Sequence, residues 1–440
     1  MNFARSHYLN ELNALKWNRL IKVITGCRRV GKSYLLNEIF RADLLKEGVP
    51  EDHIIRFAFD NDENVDALDD YFPELPTRLP EKNGAVIVSS KKFRAFLKEK
   101  TKEPGDYYLL LEKIQRLENF VGTLKGLLSH DNFDVYVTGS NSRFLSSDII
   151  TEFRGRSSSL HVLPLSFREF CEGRSEEKQA LWKEYIRLGG IPMVANMVNA
   201  SQKEKTLKNL GSEVYLKDIV HRHRIQGDAD IAELFALLAS SIGAGVSPLK
   251  LERTYKTKKN KSLSDDTIKK YIDLYEDSFL LSKALPYDIK GKRYINAPFK
   301  VYFEDVGIRN AILDFRQVEE PHLMENVIYN ELRARGYSVS MGRIDVNEPT
   351  DRLDASGKRI YAEKALEVDF IAERGDERIY IQSCLNLLES EKEEREKRPF
   401  SAITDSFRKI IVTKDGLGIR KDQQGIITVD LFDFLLGNFC

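Results

Sequence analysis

Short apolar runs alternate with helix-spaced apolar positions through the first third of the chain. Arg19–Thr25 (RLIKVIT) predicts a buried strand. Ser33–Glu47 then carries apolar residues at Leu35, Leu36, Ile39, Phe40, Leu44 and Leu45, the spacing of one helix face, which Gly48 and Pro50 end. His53–Phe59 (HIIRFAF), Tyr107–Leu111 (YYLLL) and Asp134–Thr138 (DVYVT) predict three more strands. Strands separated by helical stretches imply parallel pairing through crossover helices, so this part is expected to be α/β. Residues 60–105, acidic first and basic later, give no readable pattern.

A turn at Pro164 and the run PLSFREF close this unit, and residues from about 165 to 235 follow a helical pattern, as at Leu216, Ile219 and Val220. Residues 228–300 predict a helix near Ile231–Ile242 and another at Thr267–Phe279, with Ser264 as N-cap and Asp265 and Asp266 in its first turn. An apolar run (Phe279–Leu285), a turn at Gly291 and a short strand at Tyr294 complete a winged-helix pattern. From about 321 the register changes: an amphipathic helix over Met324–Arg335, strands at Tyr337–Met341, Glu367–Ala372 and Arg378–Gln382, a charged helix at Ser390–Lys397, and a strand at Lys409–Thr413. The expected division is 1–165, 166–227, 228–320 and 321–440, the last a separate small α/β domain.

Length agrees: 440 residues, at roughly 150 per domain, give about three domains. With 42% hydrophobic and 31% charged residues the chain can fill more than one core, which excludes global disorder. Lys plus Arg (68) balance Asp plus Glu (68), so a nucleic-acid partner would have to rest on a local basic patch. Cys27, Cys171, Cys384 and Cys440 are too scattered for a disulfide scaffold or zinc ribbon, which points to a reducing, cytoplasmic setting. The opening MNFARSHYLNELNALKW lacks the apolar stretch of a secretion signal, and no run approaches the roughly 18 apolar residues that span a bilayer.

One motif carries chemistry. Gly26-Cys27-Arg28-Arg29-Val30-Gly31-Lys32-Ser33 matches GxxxxGK[ST], entered by a strand and left by a helix that starts at Ser33-Tyr34. Gly26 and Gly31 allow backbone angles that turn successive N–H groups into one concavity for phosphate oxygens. Lys32 is expected to reach the β- and γ-phosphates, and the Ser33 hydroxyl to ligate Mg²⁺. The alternative is a glycine turn that fits the pattern by chance. An acid for the magnesium shell is expected at the end of a second buried strand, and Tyr107–Gln115 (YYLLLEKIQ) offers Glu112, followed by Lys113. After Asp134–Thr138, Ser140 and Asn141 are candidates to bond the γ-phosphate or attacking water, or else form a capping turn. Arg154 and Arg156 could reach a neighbouring subunit's nucleotide, or else are solvated helix-end cations.

The chain resembles a prokaryotic family of AAA+-type ATP-binding proteins with an N-terminal ATPase domain, a winged-helix middle and a C-terminal domain like the PD-(D/E)xK nuclease fold. The shared residues are TGCRRVGKS (25–33), the strand at 109–115, VTGSNS (137–142), GR (155–156), PLSFREF (164–170), GGIP (189–192), YLKDIV (215–220), EVDF (367–370) and IYIQ (379–382). The resemblance implies ATP–Mg²⁺ binding and ATPase activity. The family usually has Asp-Glu where this chain has Glu112-Lys113, and a lysine cannot orient water as a carboxylate does, so ATP is expected to bind with hydrolysis slow or absent. In the C-terminal part Glu331 and Asp369 resemble two metal acids. The (D/E)xK step falls on Gln382-Ser383-Cys384, an amide and a thiol that suit Mg²⁺ poorly, so binding or assembly is expected there rather than cleavage.

Lys250–Lys261 (KLERTYKTKKNK) sets Lys256, Lys258, Lys259 and Lys261 among six cations and one acid, a candidate DNA contact or a solvated loop. His221-Arg222-His223-Arg224 has i,i+2 spacing, which splits the rings over two helix faces and argues against a metal site. The sequence thus predicts either a weak ATPase or a non-hydrolysing, nucleotide-gated scaffold, with DNA, another protein or further copies of the chain as candidate partners.

Overall fold

Five strands of the N-terminal part form, among the described residues, one parallel sheet in the order β2-β5-β6-β1-β7. They are β1 (Ile21–Thr25), β2 (Ile54–Ala58), β5 (Tyr107–Glu112), β6 (Phe133–Thr138) and β7 (Ser157–His161), with an antiparallel pair, β3 (Arg78–Lys82) and β4 (Ala85–Val88), between β2 and β5 in the chain. This computed structural model describes residues 3–82, 85–139, 153, 155–217, 219–220, 225, 228–259, 263–295, 297–353, 359–387, 389–416 and 418–438. β1 and β5 are buried along their whole lengths, as continuous apolar strands covered on both faces must be. The helix after β1 is continuous through Lys32–Tyr34, a wider π stretch Leu35–Phe40 and Arg41–Lys46, and buries the predicted Leu35, Leu36, Phe40 and Leu44.

β7 was not anticipated: the segment after Arg156 is a strand paired with β1 from Ile21↔Ser157 to Thr25↔His161, so Arg156 directly precedes a strand.

In the middle, helices Asp228–Ser240, Pro248–Lys259 and Asp265–Asp277 precede β8 (Leu281–Ala284), β9 (Pro286–Asp288), β10 (Arg293–Tyr294) and β11 (Lys300–Phe303). β8 and β11 pair antiparallel, and Ser264 caps its helix as expected, accepting the Thr267 N–H at 3.3 Å. The basic run, a candidate DNA contact or solvated loop, is helical through Lys259, with Tyr255 turned into the core. Leu36 and Phe40 of the helix after β1 share one apolar core with Phe235, Tyr275 and Phe303.

The C-terminal part is built on β12 (Ser338–Leu353), β13 (Arg359–Arg374), β14 (Glu377–Cys384), β15 (Arg408–Thr413), β16 (Arg420–Lys421) and β17 (Ile427–Asp430). With β9 and β10 they form a mixed sheet in the order β10-β9-β12-β13-β14-β15-β17-β16. The helix Glu320–Ala334 shares a core with this sheet and with Trp182 and Tyr185, so residues 165–195 pack against the C-terminal part. No helix among the described residues is long and apolar enough to cross a membrane.

Candidate nucleotide site

β1 delivers residues 26–33 to the C-terminal edge of the parallel sheet, where ligands of open α/β folds bind. Gly26 has φ +135° and Gly31 φ +92°, angles that L side chains resist, and a Cβ on Gly26 would lie 2.2 Å from the Val162 carbonyl oxygen. Cys27 and Val30 are buried and anchor the loop, while Arg29 and Tyr34 are exposed. Tyr215 donates its hydroxyl to the Arg28 carbonyl at 2.8 Å, tying the loop to the helical segment after the sheet. The Lys32 ammonium is buried and donates to the carbonyls of Gly26 (2.8 Å) and Cys27 (2.7 Å). Burial, joined by the charges of Lys113 and Arg28, lowers its pKa to about 8 although Cys27 and Glu304 oppose it.

Glu112 ends β5 directly beside this loop. The Ser33 hydroxyl donates to one carboxylate oxygen and the Asn37 amide to the other. Asn37 was not anticipated, although it stands four residues after Ser33, the helix spacing that puts two side chains on one face. Lys113 follows in the left-handed region (φ 54°) and starts the turn Ile114–Arg116. The donor set suits a nucleotide with a divalent cation: a glycine-shaped cradle of N–H groups, one ammonium, and a hydroxyl and a carboxylate in contact, both hard oxygen ligands.

A chain of polar contacts leads from the loop into the C-terminal half. Thr25 Oγ1 lies 3.1 Å from His161 Nδ1, His161 Nε2 lies 2.9 Å from Glu304 Oε1, and Arg333 approaches the same oxygen at 3.4 Å. Burial pushes the Glu304 carboxyl up, but His161 and Arg333 outweigh it and hold it below the usual range. The next residue, Asp305, accepts N–H bonds from Gly190 (2.7 Å) and Ile308 (2.8 Å).

The other predicted residues fall elsewhere. Ser140, Asn141, Arg154, Lys261 and His221–Arg224 lie outside the described residues. Arg156 is exposed and its carbonyl accepts the Ile21 N–H, at the opposite end of β1 from the glycine loop, so it is not part of its own chain's site. Lys256 is exposed and pairs with Glu252 at 2.8 Å; Lys258 and Lys259 belong to the same helix. Glu331 does not join Asp369. It pairs with Arg335 at 2.8 Å and lines a pocket with Glu169 and Arg168, whereas Glu325, six residues earlier, is the helix acid that meets Asp369 through Lys300. Gln382 does stand beside Asp369, accepting its N–H at 3.1 Å.

Two family descriptions match the chain: AAA domain, over residues 18–171, and a domain of unknown function (DUF8612), over residues 179–319. The chain is 30% identical over 416 residues to an uncharacterized protein of Haemophilus influenzae, covering 93% of each. It is 28% identical over 427 residues to the uncharacterized protein MJ1544 of Methanocaldococcus jannaschii, covering 93% of this chain and 84% of that one. Among solved structures, the Walker-type ATPase paby2304 of Pyrococcus abyssi is 14% identical with a TM-score of 0.48, over 71% of this chain and 96% of that one, a likeness on which nothing below rests.

Proposed function

Because the chain belongs to the family of the Haemophilus influenzae protein and carries an AAA domain of the P-loop ATPase type, we propose that it is an ATP–Mg²⁺-gated switch whose own hydrolysis is slow. The observation that carries this reading is the end of β5, where Glu112 is held by Ser33 and Asn37 and the next residue is Lys113. The loop N–H groups and Lys32 would hold the phosphates; Ser33 and Glu112 would hold magnesium, which neutralises phosphate charge when bound. A protonated lysine has no lone pair to take a proton from water, so Lys113 leaves the attacking water unactivated. Thr25, His161 and Glu304 then offer a route by which loop occupancy reaches the C-terminal half, which on this reading serves binding or assembly.

Lys113→Glu is expected to raise phosphate release about 100-fold, the low end of what a positioned carboxylate contributes. A native chain that already turns over several ATP per second would refute the slow-hydrolysis reading. Affinity should also fall as pH rises. Burial lowers the Lys32 pKa to about 8, and phosphate favours its charged form. Binding is therefore undiminished below pH 8, and above it requires proton uptake, so the apparent Kd should rise about tenfold per pH unit. Calorimetry from pH 7 to 9.5 in buffers of different ionisation heat reads both the slope and the proton.

A second reading, DNA contact, is favoured by Lys250, Arg253 and Lys256, exposed three residues apart along the helix Pro248–Lys259. Each phosphate contact contributes roughly one unit to the slope of log affinity against log salt. Replacing Lys256, Lys258 and Lys259 with Gln should lower that slope by about two to three; no retarded band at low salt removes the reading.

A further inference from the structure

Lys300 opens β11, and its side chain is 4% exposed. Its ammonium lies 2.5 Å from Glu367 Oε1, 2.9 Å from Glu325 Oε1 and 3.2 Å from Asp369 Oδ1. The three acids arrive from different elements: Glu325 from the helix Glu320–Ala334, Glu367 and Asp369 from positions two apart on one face of β13. The Tyr302 hydroxyl donates to Glu325 Oε1 at 2.5 Å, and the Ser383 N–H to Asp369 Oδ2 at 2.9 Å. Gln382 joins a fourth acid to the group by donating to Glu396 at 3.1 Å.

This is a built arrangement of charge. An ammonium has three donors, and here three carboxylate oxygens meet them. Three acids against one cation leave an excess of negative charge. Convergent carboxylates of this kind are what a hard divalent cation takes as ligands. Among the described residues, no group of three or more His, Cys, Asp or Glu side chains is placed to hold a metal ion as the chain stands.

We propose that Lys300 is a built-in counter-ion standing where a divalent cation would otherwise sit among Glu325, Glu367 and Asp369. The native chain therefore takes up no Mg²⁺ or Mn²⁺ there, and a chain without the ammonium does. The same contact locks the β8–β11 pair onto the C-terminal sheet. None of this depends on the nucleotide reading.

Mn²⁺ titration of the full chain without nucleotide, by calorimetry and by thermal unfolding, tests it. Lys300→Met keeps the length of the stem and is expected to gain one Mn²⁺ per chain and to unfold at a higher temperature with Mn²⁺ than without. Adding Asp369→Asn should abolish both effects. Lys300→Gln is the second variant should the Met form fail to fold, with the same expectation. In the native chain Asp369→Asn should leave Mn²⁺ uptake unchanged. The proposal is overturned by a folded Lys300 variant that takes up no more Mn²⁺ than the native chain, or by native uptake that falls on Asp369→Asn.

Discussion

Lys32→Ala is expected to weaken ATP binding by about 100-fold while the chain stays folded. The ammonium lies buried in the mouth of the glycine loop, where it donates to the carbonyls of Gly26 and Cys27. Phosphate would exchange those neutral acceptors for anionic ones, and a hydrogen bond between charged partners is roughly twice as strong as a neutral one. At about 1.5–3 kcal/mol per bond to a charged group, losing the two the ammonium can redirect costs about 3 kcal/mol or more of binding energy. The fold has less at stake. Truncation leaves two carbonyls short of a partner, at about 1–3 kcal/mol each before water enters, but it also removes a desolvated charge that burial already disfavours, which offsets most of that cost. Affinity and stability should therefore separate: a fluorescent ATP analogue loses its binding while the unfolding midpoint without nucleotide moves by a few degrees. Undiminished affinity in Lys32→Ala would remove the nucleotide site from its assigned place.

The glycine loop was legible because its chemistry is local: two glycines, a lysine and a serine act through backbone angles that neighbouring residues set. β1, β5 and β6 were legible because strands buried on both faces read as apolar runs. β7 was not, since Ser157–His161 has only Leu160 buried and becomes a strand by pairing with β1. The outer arms of β12 and β13 were missed for a related reason: residues 359–367 of β13 are mostly exposed on both faces, so no alternation marks them. Glu331 was the acid named from the sequence and Glu325 was missed, because the helix Glu320–Ala334 buries both and a single helix's periodicity does not say which side meets the sheet. Only tertiary placement distinguishes the acid that reaches Lys300 from the one that pairs with Arg335.

The largest loss of stability should come from Lys22→Met. Lys22 is fully buried in the middle of β1, and its ammonium pairs with Asp134 of the adjacent strand β6. Asp134 is itself held by the Tyr136 hydroxyl at 2.9 Å and the Trp17 N–H at 3.1 Å. Burial lowers the Lys22 pKa despite its partner, so the pair is no simple gain over two apolar residues. Breaking it from one side is another matter, because Met leaves the Asp134 carboxylate buried without a cation. Such one-sided losses cost about 3–5 kcal/mol, whereas replacing both partners by apolar groups of similar volume is nearly neutral. Urea unfolding followed by Trp17 fluorescence should place Lys22→Met at least about 3 kcal/mol below the native chain, with Lys22→Met/Asp134→Leu recovering most of the deficit. Because β1 leads directly into Gly26, the single variant should bind nucleotide normally at low temperature and lose it together with the sheet. A Lys22→Met chain within about 1 kcal/mol of native would mean that the sheet tolerates the Asp134 charge without Lys22.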